Sequence, residues 1–313
     1  MLDPQAQNLL DLIAARNLPP VHELPPVEAR AAYRLSCEAT GPAVPDVAST
    51  RDFEVPGPDT PIPIREYRPL GNAAGEILGA LVYIHGGGYV IGDLETHDTL
   101  CRLLSNQSGC AIYAVDYRLA PESPFPAAVD DSLAAVRWVF DNATTLAIDP
   151  SRIGIGGDSA GGNLTAVSCL ALRDSGGPRP AFQMLVYPGI DMHCTMPSHK
   201  ENAEGYILTA ETIDYFVGHY VDSSEYDDWR ASPLLAANHA DLPPALVITA
   251  GFDPLRDEGA AYADKLSASG NSVQYVHFPR MVHGFLTMSG VLDEATTAIT
   301  LCAAIMRERL GSA

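Results

Sequence analysis

The feature that most restricts the fold is the alternation of short apolar segments with helix-like segments along much of the chain. Strands that alternate with helices form βαβ units, and these units give a mostly parallel sheet with helices on both faces. In such sheets, ligands bind beyond the carboxyl ends of the strands. We therefore predict an α/β fold with its site at that edge. The predicted strands are Ala80–Ile84, Ala111–Asp116, Arg152–Ile155, Gln183–Tyr187, Ala245–Ala250 and Val273–Phe278. Two of the predicted intervening helices are Thr96–Gln107 and Ala127–Asn142.

Two segments interrupt this alternation. Residues 1–45 contain the amphipathic helix candidates Pro4–Ala15 and Pro26–Cys37, separated by a proline-rich break. Residues 191–228 begin with an irregular polar stretch and become helical over Thr209–Tyr220. We expect both segments to fold together as a helical cap over the site. The predicted division is a cap of residues 1–45 and 191–228 on an α/β catalytic domain of residues 46–190 and 229–313.

The charge balance excludes several classes of partner. The chain has 19 basic and 39 acidic residues, which gives a net charge of −20, and its pI is near 4.6. Such a surface repels phosphate backbones and anionic lipid headgroups, so we predict neither a nucleic-acid nor a membrane partner. Residues Met1–Pro20 lack the apolar core of a secretory signal, and we therefore expect a cytoplasmic protein.

The cysteines and histidines do not indicate a metal centre. The six cysteines show no C-x-x-C spacing, which in a chain of this length is typical of reduced thiols. His193, Cys194 and His199 lie near one another in the sequence, but their spacing is irregular and the segment is polar. We predict no metal site and no cofactor.

The most informative local motif is Gly157-Asp158-Ser159-Ala160-Gly161, which lies between a strand-like run and a helix-like run. Glycines two residues before and after the serine permit a very tight turn. That turn is the nucleophile elbow, which exposes the serine hydroxyl at the carboxyl end of the strand. The alternative is an ordinary strand–helix turn, and the flanking elements favour the elbow.

A reactive serine requires a base and an acid that orients the base. Asp253 falls in the loop just past a predicted strand, whereas Asp257 lies one helical turn further on, in a position suited to local pairing. His283 likewise follows a strand and precedes a glycine, whereas His277 lies inside that strand. We therefore predict Ser159, Asp253 and His283 as the catalytic residues.

A glycine-rich loop follows the strand Ala80–Ile84. His85-Gly86-Gly87-Gly88 is the type of loop whose amides stabilise a developing oxyanion in esterases, and the Ala160 amide at the start of the elbow helix adds a donor. We expect His85 to organise the loop by hydrogen bonding. The alternative is a phosphate-binding loop. No lysine follows at the spacing that a phosphate loop requires, and the acidic composition also disfavours phosphate.

Together, the motifs resemble the hormone-sensitive-lipase family of α/β-hydrolases, in particular its bacterial esterase branch. The resemblance covers nearly the whole chain, including the helical N-terminal segment. The motifs that carry it are His85–Tyr89, Tyr117–Glu122, Gly157–Asn163, Asp253–Asp257 and His283–Phe285.

The resemblance implies an α/β-hydrolase fold and a triad of Ser159, Asp253 and His283. It also implies an oxyanion hole formed by the amides of Gly87, Gly88 and Ala160. The segment Tyr117–Glu122 would be a structural loop near the site. The implied substrates are small esters with short to medium acyl chains, and a homodimer is expected through the sheet edge near the C-terminal strand.

Substrate contacts are expected from the cap. We predict that Tyr206, Leu208 and Phe216 bind the substrate, although packing of the cap on the core is an alternative role for each. The same chemistry would also serve an amidase, a peptidase or a lactonase. A non-catalytic binding protein of this fold is a further alternative, against which the presence of His283 argues.

Overall fold

The computed structural model describes residues 1–73 and 75–311 and has a single central sheet. The strands are β1 Ser49–Val55, β2 Ile62–Arg68, β3 Leu78–Ile84, β4 Ala111–Val115, β5 Ile148–Asp158, β6 Phe182–Val186, β7 Ala245–Phe252 and β8 Val273–Val282. Their order in the sheet is β1-β2-β4-β3-β5-β6-β7-β8. Strand β2 runs antiparallel to both of its neighbours, and β3 to β8 are parallel.

Helices cover both faces of the sheet. The helices of the described residues are α1 Pro4–Arg16, α2 Pro26–Thr40, α3 Asp98–Ser108, α4 Ala127–Asp141, α5 Ala160–Asp174, α6 Pro197–Glu201, α7 Ala210–Tyr220, α8 Arg256–Ala268 and α9 Asp293–Leu310. Side chains of β3 alternate between two cores: Val82 belongs to the core that includes residues of α4, α5 and α8, whereas Leu81 belongs to the core that includes residues of α1, α3 and α9. This alternation is what a strand between two helical layers requires.

The α/β-hydrolase architecture predicted from the sequence is confirmed. All six predicted strands coincide with β3 to β8, and the predicted helices, including the one that follows Ser159, coincide with α1 to α5 and α7. The antiparallel pair β1 and β2 was not predicted, because β1 exposes most of its side chains and carries few apolar residues. Helices α6, α8 and α9 were also not predicted. No helix in residues 1–73 and 75–311 has both the length and the apolarity needed to cross a bilayer.

The two segments outside the alternation contact each other and the sheet. The Tyr215 hydroxyl of α7 donates a hydrogen bond to the Leu24 carbonyl at 3.0 Å, which joins the two segments. From α2, the Arg30 guanidinium donates to the Val90 carbonyl at 2.8 Å and to the Ala120 carbonyl at 2.9 Å. The N-terminal segment is therefore fixed to the loops that follow β3 and β4.

Candidate active site

The candidate nucleophile lies in the sharp turn between β5 and α5. Ser159 has φ 53° and ψ −118°, a region that residues with a Cβ rarely occupy. The turn brings Gly157 and Gly161 so close to the Ile84 carbonyl that a Cβ on either glycine would collide with it. The backbone is held by a hydrogen bond from the Ser159 amide to the Val186 carbonyl at 2.9 Å. The local geometry is therefore that of a nucleophile elbow.

The structure brings Ser159, His283 and Asp253 together in one hydrogen-bonded row. His283 Nε2 lies 2.9 Å from Ser159 Oγ, and His283 Nδ1 lies 2.8 Å from Asp253 Oδ2. Each residue immediately follows a strand of the parallel sheet, namely β5, β7 or β8. The carboxyl ends of these strands therefore deliver all three side chains to one place, as the sequence analysis predicts.

The Asp253 carboxylate is fully buried and held in a fixed orientation. Its Oδ1 accepts a hydrogen bond from the Leu255 amide at 2.9 Å, which leaves Oδ2 for His283. The alternatives occupy other positions. Asp257 binds the Ser198 amide and the Arg256 guanidinium, and His277 Nδ1 lies 2.9 Å from Thr249 Oγ1. Neither alternative is part of the row that reaches Ser159.

The loop after β3 lies beside Ser159. Gly87 and Gly88 have φ values of 125° and 58°, conformations that glycine adopts most readily. Among the described residues, their amide N–H groups have no hydrogen-bond acceptor. The Ala160 amide belongs to the first turn of α5, whose N–H groups have no partner within the helix. All three residues line the same cavity as Ser159, so these amides are available to a bound oxyanion.

A buried polar group, which sequence reasoning missed, supports this loop from behind. Asp158 Oδ1 accepts hydrogen bonds from the Tyr83 hydroxyl at 2.7 Å and the Gly86 amide at 3.0 Å, and it lies 3.2 Å from His97 Nε2. Burial favours a higher pKa for Asp158, but His97 and the hydrogen bonds outweigh burial and hold the pKa below its usual value. Asp158 is therefore an ionised anchor for the loop.

His85 belongs to the same group, as an organiser of the loop. Its Nδ1 lies 2.8 Å from the Gly86 carbonyl, and its ring stacks on Tyr117 with a centroid distance of 4.3 Å. Burial, reinforced by the nearby His97, lowers the pKa of His85 to about 4. The imidazole is therefore neutral near pH 7, and Nδ1 then carries the proton that it donates to the carbonyl.

A cavity of about 180 Å³ opens above Ser159 and is lined mainly by apolar side chains. Leu208 and Phe216 lie in its wall, together with Ile213, and the Phe216 ring rests directly on Gly88. Tyr206 does not line this cavity in the described part of the chain. Its ring packs on Phe252, with a centroid distance of 5.2 Å, while the next two residues of the loop turn inward. The sequence could not show which residues of this loop face the cavity.

Comparison with known proteins places the chain in a family. Residues 81–287, more than half of the chain, match a family described by the alpha/beta hydrolase fold. The chain is 44% identical over 270 residues to the carboxylic ester hydrolase LipN of Mycobacterium tuberculosis, covering 84% of this chain and 70% of that protein. It is 35% identical to the ethyl acetate hydrolase of Pseudomonas putida, with 99% of each chain covered.

Solved structures agree in fold over the whole chain. A hyperthermophilic esterase from the archaeon Pyrobaculum calidifontis shares 38% identity, with a TM-score of 0.92 and 99% of both chains covered. An α/β-hydrolase from the metagenome of Lake Arreo, Spain, shares 45% identity, with a TM-score of 0.97 and coverage of 100% of this chain and 99% of that one. The chain belongs to the hormone-sensitive-lipase-like family of α/β-hydrolases, as its motifs predict.

Proposed function

We propose that this protein is a serine carboxylesterase, with Ser159, His283 and Asp253 as its catalytic triad. The observation that carries the proposal is the imidazole of His283, which lies within hydrogen-bond distance of both the Ser159 hydroxyl and the Asp253 carboxylate. The similar proteins named as a carboxylic ester hydrolase and as an ethyl acetate hydrolase support the reaction class.

The geometry supports a two-step reaction through an acyl-enzyme. His283 Nε2 takes the proton of Ser159 as Oγ attacks the ester carbonyl, and the resulting imidazolium gives that proton to the leaving alcohol. His283 then takes a proton from water, which attacks the acyl-enzyme, and the proton returns to Ser159 as the acid leaves. Asp253 holds the proton of the neutral imidazole on Nδ1 and stabilises the imidazolium.

The amides of Gly87, Gly88 and Ala160 are the proposed oxyanion hole. Preformed donors directed at the developing negative charge are worth roughly 10²–10³ in kcat each, because they need no reorganisation during the reaction. The Asp158 carboxylate binds the Gly86 amide immediately before these glycines. The proposed oxyanion loop is therefore preorganised by a buried negative charge.

The proposed substrates are small esters with short to medium acyl chains. The cavity above Ser159 is apolar and of limited volume, and Leu208 and Phe216 supply part of its wall. Residues 1–45 and 191–228 are the proposed cap, since side chains from both segments, such as Val21 and Phe216, line this cavity over the sheet.

A panel of esters that varies the acyl chain tests this proposal. The wild-type protein should hydrolyse short and medium acyl esters, with kcat/KM falling steeply for long chains. Ser159→Ala should abolish turnover and also prevent covalent labelling by a fluorophosphonate. Hydrolysis that survives in Ser159→Ala, or a preference for emulsified long-chain triglycerides, would contradict the proposal. Paired ester and amide substrates of one acyl group test the amidase alternative directly.

The assembly and location expected from the sequence stay predictions. The outer edge of β8 ends the sheet and supports the proposal of a homodimer through this strand. Light scattering coupled to gel filtration would measure the mass in solution, and cell fractionation would test the cytoplasmic location.

A further inference from the structure

Asp253, the acid of the proposed triad, lies in a short connection between β7 and α8. Strand β7 ends at Phe252 and helix α8 begins at Arg256, whose amide donates a hydrogen bond to the Asp253 carbonyl at 3.2 Å. Further contacts to this connection come from α6 and from Asn202, which follows it. Both belong to the proposed cap, so the cap contacts the loop that carries the acid.

Asn202 binds the backbone of Asp253 directly. Its Nδ2 donates a hydrogen bond to the Asp253 carbonyl at 3.1 Å, and the residue is buried. A buried amide group that loses its acceptor costs free energy. The contact therefore restricts where the Asp253 backbone can lie.

Ser198 of α6 binds the residues that follow Asp253. Its hydroxyl donates a hydrogen bond to the Pro254 carbonyl at 2.5 Å and accepts one from the Asp257 amide at 3.2 Å. Amides in the first turn of a helix have no partner within the helix, and the N-cap residue of α8 is Leu255, whose side chain makes no capping hydrogen bond. Ser198 therefore supplies the cap that the sequence of α8 itself lacks.

The same helix also reaches the loop that contacts the nucleophile. His199 Nε2 lies 2.7 Å from Glu258 Oε2, and the other oxygen of that carboxylate accepts a hydrogen bond from the Ile190 amide at 2.5 Å. The preceding residue, Gly189, donates its amide to the Ser159 carbonyl at 3.3 Å. Helix α6 is thus connected to the backbone beside both the acid and the serine.

Helix α6 makes these contacts with polar side chains. It has only five residues, too few to be stable by itself, and its sequence Pro-Ser-His-Lys-Glu offers little apolar surface. Burial of polar groups is costly unless they are hydrogen-bonded. Hydrogen bonds are also directional, whereas the hydrophobic effect is not. Contacts of this kind fix the orientation of the backbone that they bind.

We propose that Ser198 and Asn202 are positioning residues, which hold the Asp253 backbone so that its carboxylate meets His283. This inference rests on the proposed esterase function, and it gives the proposed cap a second role as a support of the triad. Asp253 Oδ2 lies 2.8 Å from His283 Nδ1, a distance that orientation of the imidazole requires. A misplacement of about 1 Å can cost about 10²-fold in rate.

Removal of each side chain in the intact chain tests the proposal. With para-nitrophenyl butyrate, kcat should fall by about tenfold in Asn202→Ala and in Ser198→Ala. KM should change by less than about twofold, because both residues lie outside the cavity lining in the described part of the chain. Expressing kcat per site that a fluorophosphonate labels at completion excludes unfolded protein. A wild-type kcat in both variants would overturn the proposal.

A double-mutant cycle shows whether Asn202 acts through Asp253. In the Asp253→Asn background the acid is already lost, so Asn202→Ala should lower the remaining kcat by less than about twofold. A general structural effect would lower kcat by the same factor in both backgrounds. Equal factors would therefore contradict a positioning role.

Two variants elsewhere in the chain are matched controls. Asn271 Nδ2 donates to two backbone carbonyls at 2.6 and 2.9 Å, and the buried Ser132 hydroxyl donates to the Ala128 carbonyl at 2.7 Å. Asn271→Ala and Ser132→Ala should lower the Tm but keep kcat within about twofold of the wild-type value. A loss of kcat in these controls as large as that in Asn202→Ala would overturn the inference.

The outcomes also separate the two proposals. If the wild-type protein does not hydrolyse para-nitrophenyl butyrate, or if Ser159→Ala hydrolyses it equally well, the esterase function itself fails. If the wild-type protein is active through Ser159 and both Ser198→Ala and Asn202→Ala match it, the function stands and the positioning role alone is wrong.

Discussion

Of the buried imidazole–carboxylate pairs near Ser159, His283–Asp253 and His97–Asp158 differ most clearly in what surrounds them. His283 lies 2.8 Å from Asp253, and His97 lies 3.2 Å from Asp158. Both carboxylates are almost completely inaccessible to solvent. On its far side, His283 faces the Ser159 hydroxyl at the cavity, whereas His97 Nδ1 lies 2.9 Å from the Thr96 hydroxyl inside the protein.

The role of an imidazole–carboxylate pair is therefore defined by its surroundings and not by its residue types. In the first pair, the free side of the imidazole meets a hydroxyl that can lose its proton to it. In the second, the carboxylate is bound by the Tyr83 hydroxyl and the Gly86 amide. That pair therefore fixes the loop that carries the proposed oxyanion hole, and we expect its contribution to catalysis to be positional.

The largest expected effect concerns the first pair. In Asp253→Asn, kcat should fall by about 10⁴, because the amide cannot hold the proton of the imidazole on Nδ1. The Tm should change little, since asparagine fills the same space. Steady-state kinetics and thermal unfolding of the purified variant measure both quantities. The control is Asp257→Asn in the first turn of α8, which should retain kcat within about threefold. A similar loss in both variants would contradict the assignment.

The next largest effect is expected when the imidazole of the second pair, that of His97, is removed. His97→Phe keeps a ring of similar size but leaves the buried Asp158 carboxylate without its imidazole partner. We expect a loss of about 1–3 kcal/mol in the free energy of unfolding, with only about a tenfold fall in kcat. Denaturant unfolding and kinetics on the same preparation test this. An unchanged stability with a loss of kcat as large as that of Asp253→Asn would give His97 a direct part in the reaction.

The smallest expected effect is a change in stability at Asp116, whose carboxylate lies near His85. Asp116 Oδ1 is 4.0 Å from His85 Nε2, and burial, with a smaller contribution from Asp93, raises the pKa of Asp116 to about 6. The folded state thus binds this proton more tightly than the unfolded state, and ionisation above pH 6 costs stability. Asp116→Asn should raise the Tm by about 2 °C at pH 8. The gain should disappear near pH 4, and an equal gain at both values would contradict the assignment.

Much of the first pair's geometry follows from sequence. Ser159, Asp253 and His283 each follow an apolar run of strand length, and parallel strands bring their carboxyl ends to one edge. The second pair left no such signal. His97 precedes a helix and Asp158 ends a strand, so their contact depends on the packing of α3 against the sheet and not on any local pattern.

Other parts of the structure could not be predicted from the sequence, for different physical reasons. Strand β1 exposes most of its residues, so no apolar run marks it. Helix α6 has only five residues, too few to show helical periodicity. Within residues 191–228, residues only two positions apart face different ways: Tyr206 packs on Phe252, whereas Leu208 lines the cavity. The identity of a residue does not fix the direction of its side chain in an irregular loop.

The contact between Phe216 and Gly88 has a consequence for how such a protein can diverge. A Cβ on Gly88 would collide with the Phe216 ring, so the residue that shapes the pocket also bears on an amide of the proposed oxyanion hole. A mutation that reshapes α7 at this point would alter selectivity and turnover together. Leu208 and Ile213 belong to the apolar cluster on which Phe216 packs, so a substitution at either position would also bear on Gly88 through that ring.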